Sequence, residues 1–128
     1  AGFAEELLRL VNAYRQQNGP APRSHVGRLN AAAQVHSSDL ARNNMALSHT
    51  GSDGSQMEHR VQRAGYRHRI VLENVAQGHR GAQAAFNAWF NSKTGHKEAM
   101  IHPNVIHMGA ACAEGRSVYC TQLFASPM

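Results

Sequence analysis

Residues 33–55 read AQVHSSDLARNNMALSHTGSDGS, an apolar-periodic segment that runs directly into a polar, glycine-containing turn. Apolar residues recur at three- and four-residue steps, which predicts an amphipathic helix from about Arg28 to Met45. Its inner face would carry Leu29, Ala33, His36 and Leu40. His36 therefore falls on the apolar face, where a hydrogen-bonded core histidine is expected rather than a metal ligand. His49 follows in the turn.

Outward from this segment, periodicity and turn residues predict further helical and extended regions. They are an N-terminal helix closed by Gly19 before Pro20, a short helix within 54–65, a strand over 70–75 interrupted by Glu73 and Asn74, a helix within 81–92, a further short helix near Thr94, and a terminal hairpin. Helices first and a hairpin last favour a sheet covered by helices over a repeat of alternating strands and helices.

The two cysteines of the chain, Cys112 and Cys120, flank the predicted hairpin turn at 114–117. If the strands pair about that turn, the two side chains face each other and can form a disulfide. A structural disulfide indicates an oxidising compartment. The alternative is a pair of buried free thiols in a cytosolic protein.

The length and charge of the chain limit the function classes. We predict one domain over 1–128, since 128 residues suffice for one substantial core. No apolar run approaches the roughly 18 residues of a membrane-spanning helix. The net charge of +5 favours anionic surfaces, but the basic residues are scattered, which disfavours nucleic acid as a partner. Without a charge run or heptad repeat we expect a monomer.

Candidate chemistry rests on His49, Glu73 and His96, which stand far apart in the chain. Two imidazoles and a carboxylate can bind a divalent metal or transfer a proton once folding brings them together. Glu73 would act as a general base on a bound water, or orient one histidine as a hydrogen-bond acceptor, and we favour orientation. We expect Asp53 to fix the turn after His49. Ser92 precedes His96, but no GxSxG elbow supports a nucleophilic serine.

Four motifs occur together in one order: AQVHSSDLARNNMALSHTGSDGS at 33–55, ENVAQG at 73–78, the run from Trp89 through Ser92 to His96, and VIHMGAAC followed by YCTQLFAS at 105–126. In this content and order the chain resembles the CAP superfamily of cysteine-rich secretory, antigen 5 and pathogenesis-related type 1 proteins. The likeness is strongest to compact bacterial-type SCP-like extracellular proteins, and it covers nearly the whole chain.

The resemblance implies an α+β fold, a three-layer αβα sandwich with a mainly antiparallel sheet flanked by helices. It also implies secretion and an open cleft in which His49 and His96 hold a divalent cation, often zinc. Glu73 matches the family's GEN-type carboxylate, although Leu72 replaces the leading glycine. The second glutamate of larger relatives is Ser92 here, which leaves the His/Glu/Glu/His set incomplete.

Two functions follow from these features. In the first, the protein binds an extracellular ligand or partner, such as a lipid, a sterol or a cell-wall component. We rank this function first because two histidines and one carboxylate are few groups for catalysis. The alternative is a metal-assisted, protease-like hydrolase that uses His49, His96 and Glu73. Ser92 in place of the second acid weakens hydrolysis without affecting metal or ligand binding.

Overall fold

The protein is described by a computed structural model over residues 2–18, 24–92 and 96–128. Its helices are α1 (Phe3–Asn18), α2 (Gly27–Arg42), α3 (Met57–Arg63), α4 (Ala82–Phe90) and α5 (His96–Met100). Its strands are β1 (Ser24–His25), β2 (His68–Gln77), β3 (His107–Glu114) and β4 (Val118–Pro127). None of the helices in the described residues is both long and apolar enough to span a membrane.

The four strands form one sheet in the order β1-β3-β4-β2. Strand β4 pairs antiparallel with both β3 and β2, while the two-residue β1 pairs parallel with β3. β4 lies inside the sheet and is buried from Val118 to Ser126. Strand β2 is consequently an edge strand, and this leaves one of its sides available to form a site.

Each face of the sheet packs against its own helices, so that the core has two parts. Since successive residues of a strand point to opposite faces, Phe124 packs with the residues of α1 and α4, and Leu123 packs with those of α2 and α3. The largest buried side chains on the first face include Trp89, Leu7 and Met100, and those on the second include Leu29. The predicted α+β sandwich with a mainly antiparallel sheet is confirmed.

Helix α2 ends at Arg42, three residues earlier than the periodicity predicts. The cause is the Asn43–Asn44 pair, because Asn44 adopts a left-handed conformation with φ 48° and the amide of Met45 bonds to the carbonyl of Leu40. Asparagine tolerates this conformation better than most residues and often ends helices in this way. The turn redirects the chain towards His49.

The sheet differs from the sequence prediction in three ways, two in β2 and one in β1. Glu73 and Asn74 do not interrupt the strand, because both pair in register with β4, opposite Leu123 and Gln122. The strand runs from His68 to Gln77, beyond the predicted range of 70–75 at both ends. The short strand β1 was not predicted at all, since two residues carry no period. The predicted helix start near Thr94 lies outside the described residues.

The predicted disulfide is confirmed. Cys112 on β3 lies directly opposite Cys120 on β4, and their sulfur atoms are bonded, with a Cα–Cα distance of 4.1 Å. Both side chains belong to the apolar cluster on the α1 and α4 face. The bond therefore ties the hairpin together beneath the N-terminal helix.

Candidate functional site

A cleft of about 480 Å³ opens at the outer edge of β2 and is bordered by helices α3 and α5. The residues that line it are His49, Gln56, Met57, Glu58, Leu72, Glu73, Asn74, His96 and Ala99. β2 separates the two helix layers, so neighbouring residues of this strand face different layers: Glu73 faces α3, and Asn74 contacts the start of α5. The edge position of β2 is what brings the two distant histidines to one cavity.

His49 is held by Glu73 through a hydrogen bond of 2.9 Å between its Nδ1 and Glu73 Oε1. The side chain of His49 is 56% exposed, whereas that of Glu73 is fully buried. Since a carboxylate accepts, Nδ1 carries the proton, and the neutral ring then presents the lone pair of Nε2. Glu73 thus fixes both the orientation and the tautomer of His49.

Arg60 on α3 is the counter-charge of Glu73. Its Nη2 lies 2.9 Å from Glu73 Oε2 and 2.9 Å from the backbone oxygen of His49, while its Nη1 donates to the backbone oxygen of Ser55 at 2.8 Å. Both charged side chains of the pair are almost completely buried. Arg60 therefore connects the helix, the strand and the turn of His49, and both oxygens of Glu73 are engaged.

His96 approaches from the opposite layer as the first residue of α5. Its Nδ1 lies 2.7 Å from Ser92 Oγ, and its backbone oxygen accepts a hydrogen bond from Asn74 Nδ2 at 3.2 Å. Asn74 Nδ2 also donates to Gln122 Oε1 at 3.0 Å, within the sheet. The strand thereby anchors the segment that carries the second imidazole.

The pKa values of the two imidazoles are shifted in opposite directions. The hydrogen bond to Glu73 raises the pKa of His49 above its usual value, and the Glu73 charge adds to the effect. Burial lowers the pKa of His96, and the positive charge of a protonated His49 lowers it further. Both rings line the same cleft, so a positive charge on one disfavours a positive charge on the other. The two pKa values therefore move apart, that of His49 upwards and that of His96 downwards.

The capacity of the cleft for a metal is limited. Within 2–18, 24–92 and 96–128, three or more His, Cys, Asp or Glu side chains do not come together as a group that could hold a metal ion. Glu73 lines the cleft, but Arg60 and His49 occupy its oxygens. The two imidazoles that line the cleft are fewer than the three protein ligands of catalytic zinc sites.

Other predicted residues lie around the cleft or behind it. Asp53 does not line it; its carboxylate accepts from the amide of Ser55 at 2.9 Å and from Arg63 at 3.1 Å, on the exposed side of the turn. The hydrogen bonds from Ser55 hold the pKa of Asp53 well below its usual range. His36 is a buried core histidine, as predicted, and its Nε2 lies 2.7 Å from the oxygen of Ser48, the residue before His49.

Sequence reasoning missed Arg60, although a signal for it was present. A carboxylate at position 73, within an apolar strand, requires a buried cation. Arg60 lies beside Val61 on the inward side of α3, one helical turn after Met57. Asn74 was also missed, because a single asparagine in a strand gives no indication of the backbone atom it will bind.

The geometry can be compared with known proteins. Residues 8–124 match the sequence profile of the Cysteine-rich secretory protein family, known as CAP. The chain belongs to this family. The CAP domain is 26% identical over 122 residues to the YkwD protein of Bacillus subtilis (strain 168), and the match spans 95% of this chain and 47% of that protein.

Two solved structures share the CAP fold with this chain. An extracellular protein containing a SCP domain from Bacillus anthracis str. Ames superimposes with a TM-score of 0.85 at 25% identity, over 97% of this chain and 40% of that one. An outer surface protein from Borrelia burgdorferi gives a TM-score of 0.86 at 21% identity, over 97% of this chain and 92% of that one. This CAP domain thus spans about half or less of the two Bacillus proteins.

Proposed function

We propose that this CAP domain is secreted and binds an extracellular ligand in the cleft at the edge of β2, with His49 and His96 as its polar anchors. The observation that carries the proposal is the convergence of the two imidazoles from opposite layers on one open cavity. Met57, Leu72 and Ala99 add an apolar wall, which suits a ligand with an apolar part, such as a lipid, a sterol or a cell-wall fragment. The disulfide and the extracellular relatives support secretion.

A divalent cation such as zinc would bind between the same two histidines. Glu73 would support such a cation without binding it, because it holds Nδ1 of His49 and leaves Nε2 available to a metal, an arrangement common among metal-binding histidines. With only two imidazoles, the cation would be held weakly and would keep positions for water or for an oxygen of the ligand. The metal would then act as part of the ligand site.

The hydrolase alternative receives less support from the geometry. A general base needs a carboxylate oxygen within reach of the water that it deprotonates. Both Glu73 oxygens accept hydrogen bonds, one from His49 and one from Arg60, so both are already engaged within the protein. The hydrogen bond to Nδ1 supports an orienting role for Glu73, the role that we favour from the sequence.

Calorimetric titration with zinc tests the metal part of the proposal. The wild type should bind one zinc ion, and His49→Ala and His96→Ala should each abolish the heat signal. His79→Ala is the matched control, because His79 is exposed between β2 and α4, does not line the cleft, and its loss should change nothing. Glu73→Gln should weaken zinc binding by about ten- to a hundredfold. If the wild type gave no heat of binding at millimolar zinc, the metal would be removed from the proposal.

Ligand binding and hydrolysis need separate experiments. Lipids, sterols and cell-wall fragments would be screened against the wild type and the His49→Ala/His96→Ala double variant, with and without zinc. A cleft ligand should shift the melting temperature of the wild type alone. Peptide, ester and glycan substrates would be assayed in parallel, and turnover that Glu73→Gln abolishes without loss of zinc would restore the hydrolase.

A further inference from the structure

A second groove, of about 920 Å³, lies at the other end of helix α3 and shares no lining residue with the histidine cleft. Its walls include Val26, Gly27 and Arg28 from the start of α2, Tyr66 and Arg67 from the segment before β2, and His107 from β3. The proposed function of the CAP domain does not use any of these residues. The charge and the apolar surface of these residues suit a ligand different from that of the histidine cleft.

The charged side chains of this groove are cationic. Arg28 and Arg67 are both exposed, and neither forms an ion pair with a carboxylate of the described residues. Arg28 Nη1 donates to the backbone oxygen of Gly65 at 3.2 Å, which holds this guanidinium against the wall of the groove. Asp and Glu are absent from the described residues that line it. A guanidinium whose N–H donors are not all engaged by the protein can bind an anion.

The backbone of α2 adds positive potential to the same wall. The helix begins at Gly27, its N-cap Val26 gives no side-chain hydrogen bond, and its first turn holds no acidic residue. A Cβ built on Gly27 would meet nothing within 4 Å, so the space in front of the helix start is open. The amide groups of a helix start attract anions, and here they supplement the two arginines.

The rest of the wall is apolar and aromatic. Tyr66 is only 6% exposed, its hydroxyl lies 2.8 Å from Nδ1 of His107, and the two rings pack edge to face at 5.8 Å. Val26 and Pro127 border the same space. A fully hydrated inorganic anion would leave this surface unused, whereas an anion attached to an apolar body would cover it.

We propose that this groove is a second binding site, for an organic phosphate ester. The phosphate group lies between Arg28, Arg67 and the start of α2, and the apolar body of the ester lies against Val26 and Tyr66. Arginine forks match phosphate oxygens in a bidentate geometry. The site works independently of the histidine cleft.

Phenyl phosphate is the probe, because it combines the anion with a small aromatic body, and amide NMR shifts of the intact protein report where it binds. The amides of Gly27 and Arg28 should shift on titration, and inorganic phosphate and phenol should each bind more weakly. Gly27→Asp should weaken binding about tenfold or more, because it adds a carboxylate at the phosphate position. The variant should still fold, since a Cβ at this position meets nothing within 4 Å and an acidic residue suits the first helical turn.

Gly27→Asn is the matched control of similar size without charge, and it should bind phenyl phosphate within about twofold of the wild type. Arg28→Gln/Arg67→Gln should lose binding as Gly27→Asp does, and His49→Ala should retain it. The proposal is overturned if the wild type shows no saturable shift at Gly27 and Arg28, or if Gly27→Asp binds as well as Gly27→Asn. Because His49→Ala affects only the other cleft, failure here is distinct from failure of the proposed function.

Discussion

Arg60 and Glu73 form an ion pair of 2.9 Å between α3 and β2, with side chains that are 2% and 0% exposed. A buried charge is costly unless it is paired, and each partner here has further hydrogen bonds, Glu73 to His49 and Arg60 to the backbone of His49 and Ser55. The pair thus links the stability of the fold to the placement of His49.

Removal of Arg60 should therefore lower the free energy of unfolding much more than removal of an ordinary surface arginine. Arg60→Gln should lower the free energy of unfolding by about 3–5 kcal/mol, because it leaves the Glu73 carboxylate buried without its cation. Urea denaturation measures the change. Arg63→Gln is the matched control on the same helix, since its exposed pair with Asp53 should contribute little to the free energy of unfolding. Equal losses in both variants would contradict the assigned role of the pair.

Glu73 should also control the titration of His49. The hydrogen bond to Glu73 raises the pKa of His49, so Glu73→Gln should lower it, as measured from imidazole proton shifts across about pH 5–8. Because the folded-state pKa is the higher one, the stabilisation from this pair is present below the unfolded-chain pKa and is lost as the pH rises through the folded value.

Glu58→Gln provides the control for that titration. Glu58 lines the same cleft, but the carboxylate that accepts the hydrogen bond from His49 Nδ1 is that of Glu73. Neutralisation of Glu58 should leave the His49 titration nearly unchanged. If Glu58→Gln lowered the pKa of His49 as much as Glu73→Gln does, the hydrogen bond would not be the cause.

His36 should make the folding stability depend on pH in the opposite sense from His49. Burial lowers its pKa, so below the usual histidine value the unfolded chain binds a proton that the folded chain does not, and stability falls as the pH falls. His36→Gln keeps a donor for the carbonyl of Ser48. It should reduce the loss of stability on acidification, as measured by urea denaturation between about pH 7 and pH 5. The exposed His79→Gln should retain the wild-type slope, and an unchanged slope in His36→Gln would refute the assignment.

Most of the fold could be predicted from the sequence because its signals are local. Periodicity identified α2 through Leu29 and Leu40, and the two cysteines placed the hairpin in register. Strand β1 could not be found in the same way, because Ser24 and His25 are extended only through their pairing with β3. A strand of two residues depends on its neighbour and leaves no pattern of its own.

The site was predictable in its residue types but not in its connections. His49 and His96 could be selected as a pair from the family likeness, yet which oxygen of Glu73 each neighbour takes depends on how α3 packs against β2. Arg60 is the clearest case. Its position is set by tertiary packing, and its one signal in the sequence, the need of a buried carboxylate for a partner, does not say which residue supplies that partner.

Reduction of the disulfide should destabilise the protein moderately. Cys112 and Cys120 are separated by eight positions, and closing so short a loop contributes about 2–3 kcal/mol in the chain-entropy model. Urea midpoints with and without a phosphine reductant measure the loss. Cys112→Ala/Cys120→Ala should be insensitive to the reductant, and a wild type that is equally insensitive would show that the bond contributes nothing to stability.

The contact between α2 and β3 should depend on Gly109. A Cβ built at this position would lie 2.4 Å from the backbone nitrogen of Asn30 and from two atoms of Leu29, so Gly109→Ala must push the helix off the sheet. We expect a loss of about 1–3 kcal/mol or more in the free energy of unfolding. Gly27→Ala is the matched control, because its Cβ meets open space and a glycine-to-alanine change there should stabilise by about 0.4–1 kcal/mol. Urea denaturation of both variants decides the point, and a Gly109→Ala protein as stable as the wild type would mean that α2 can retreat from β3 without cost.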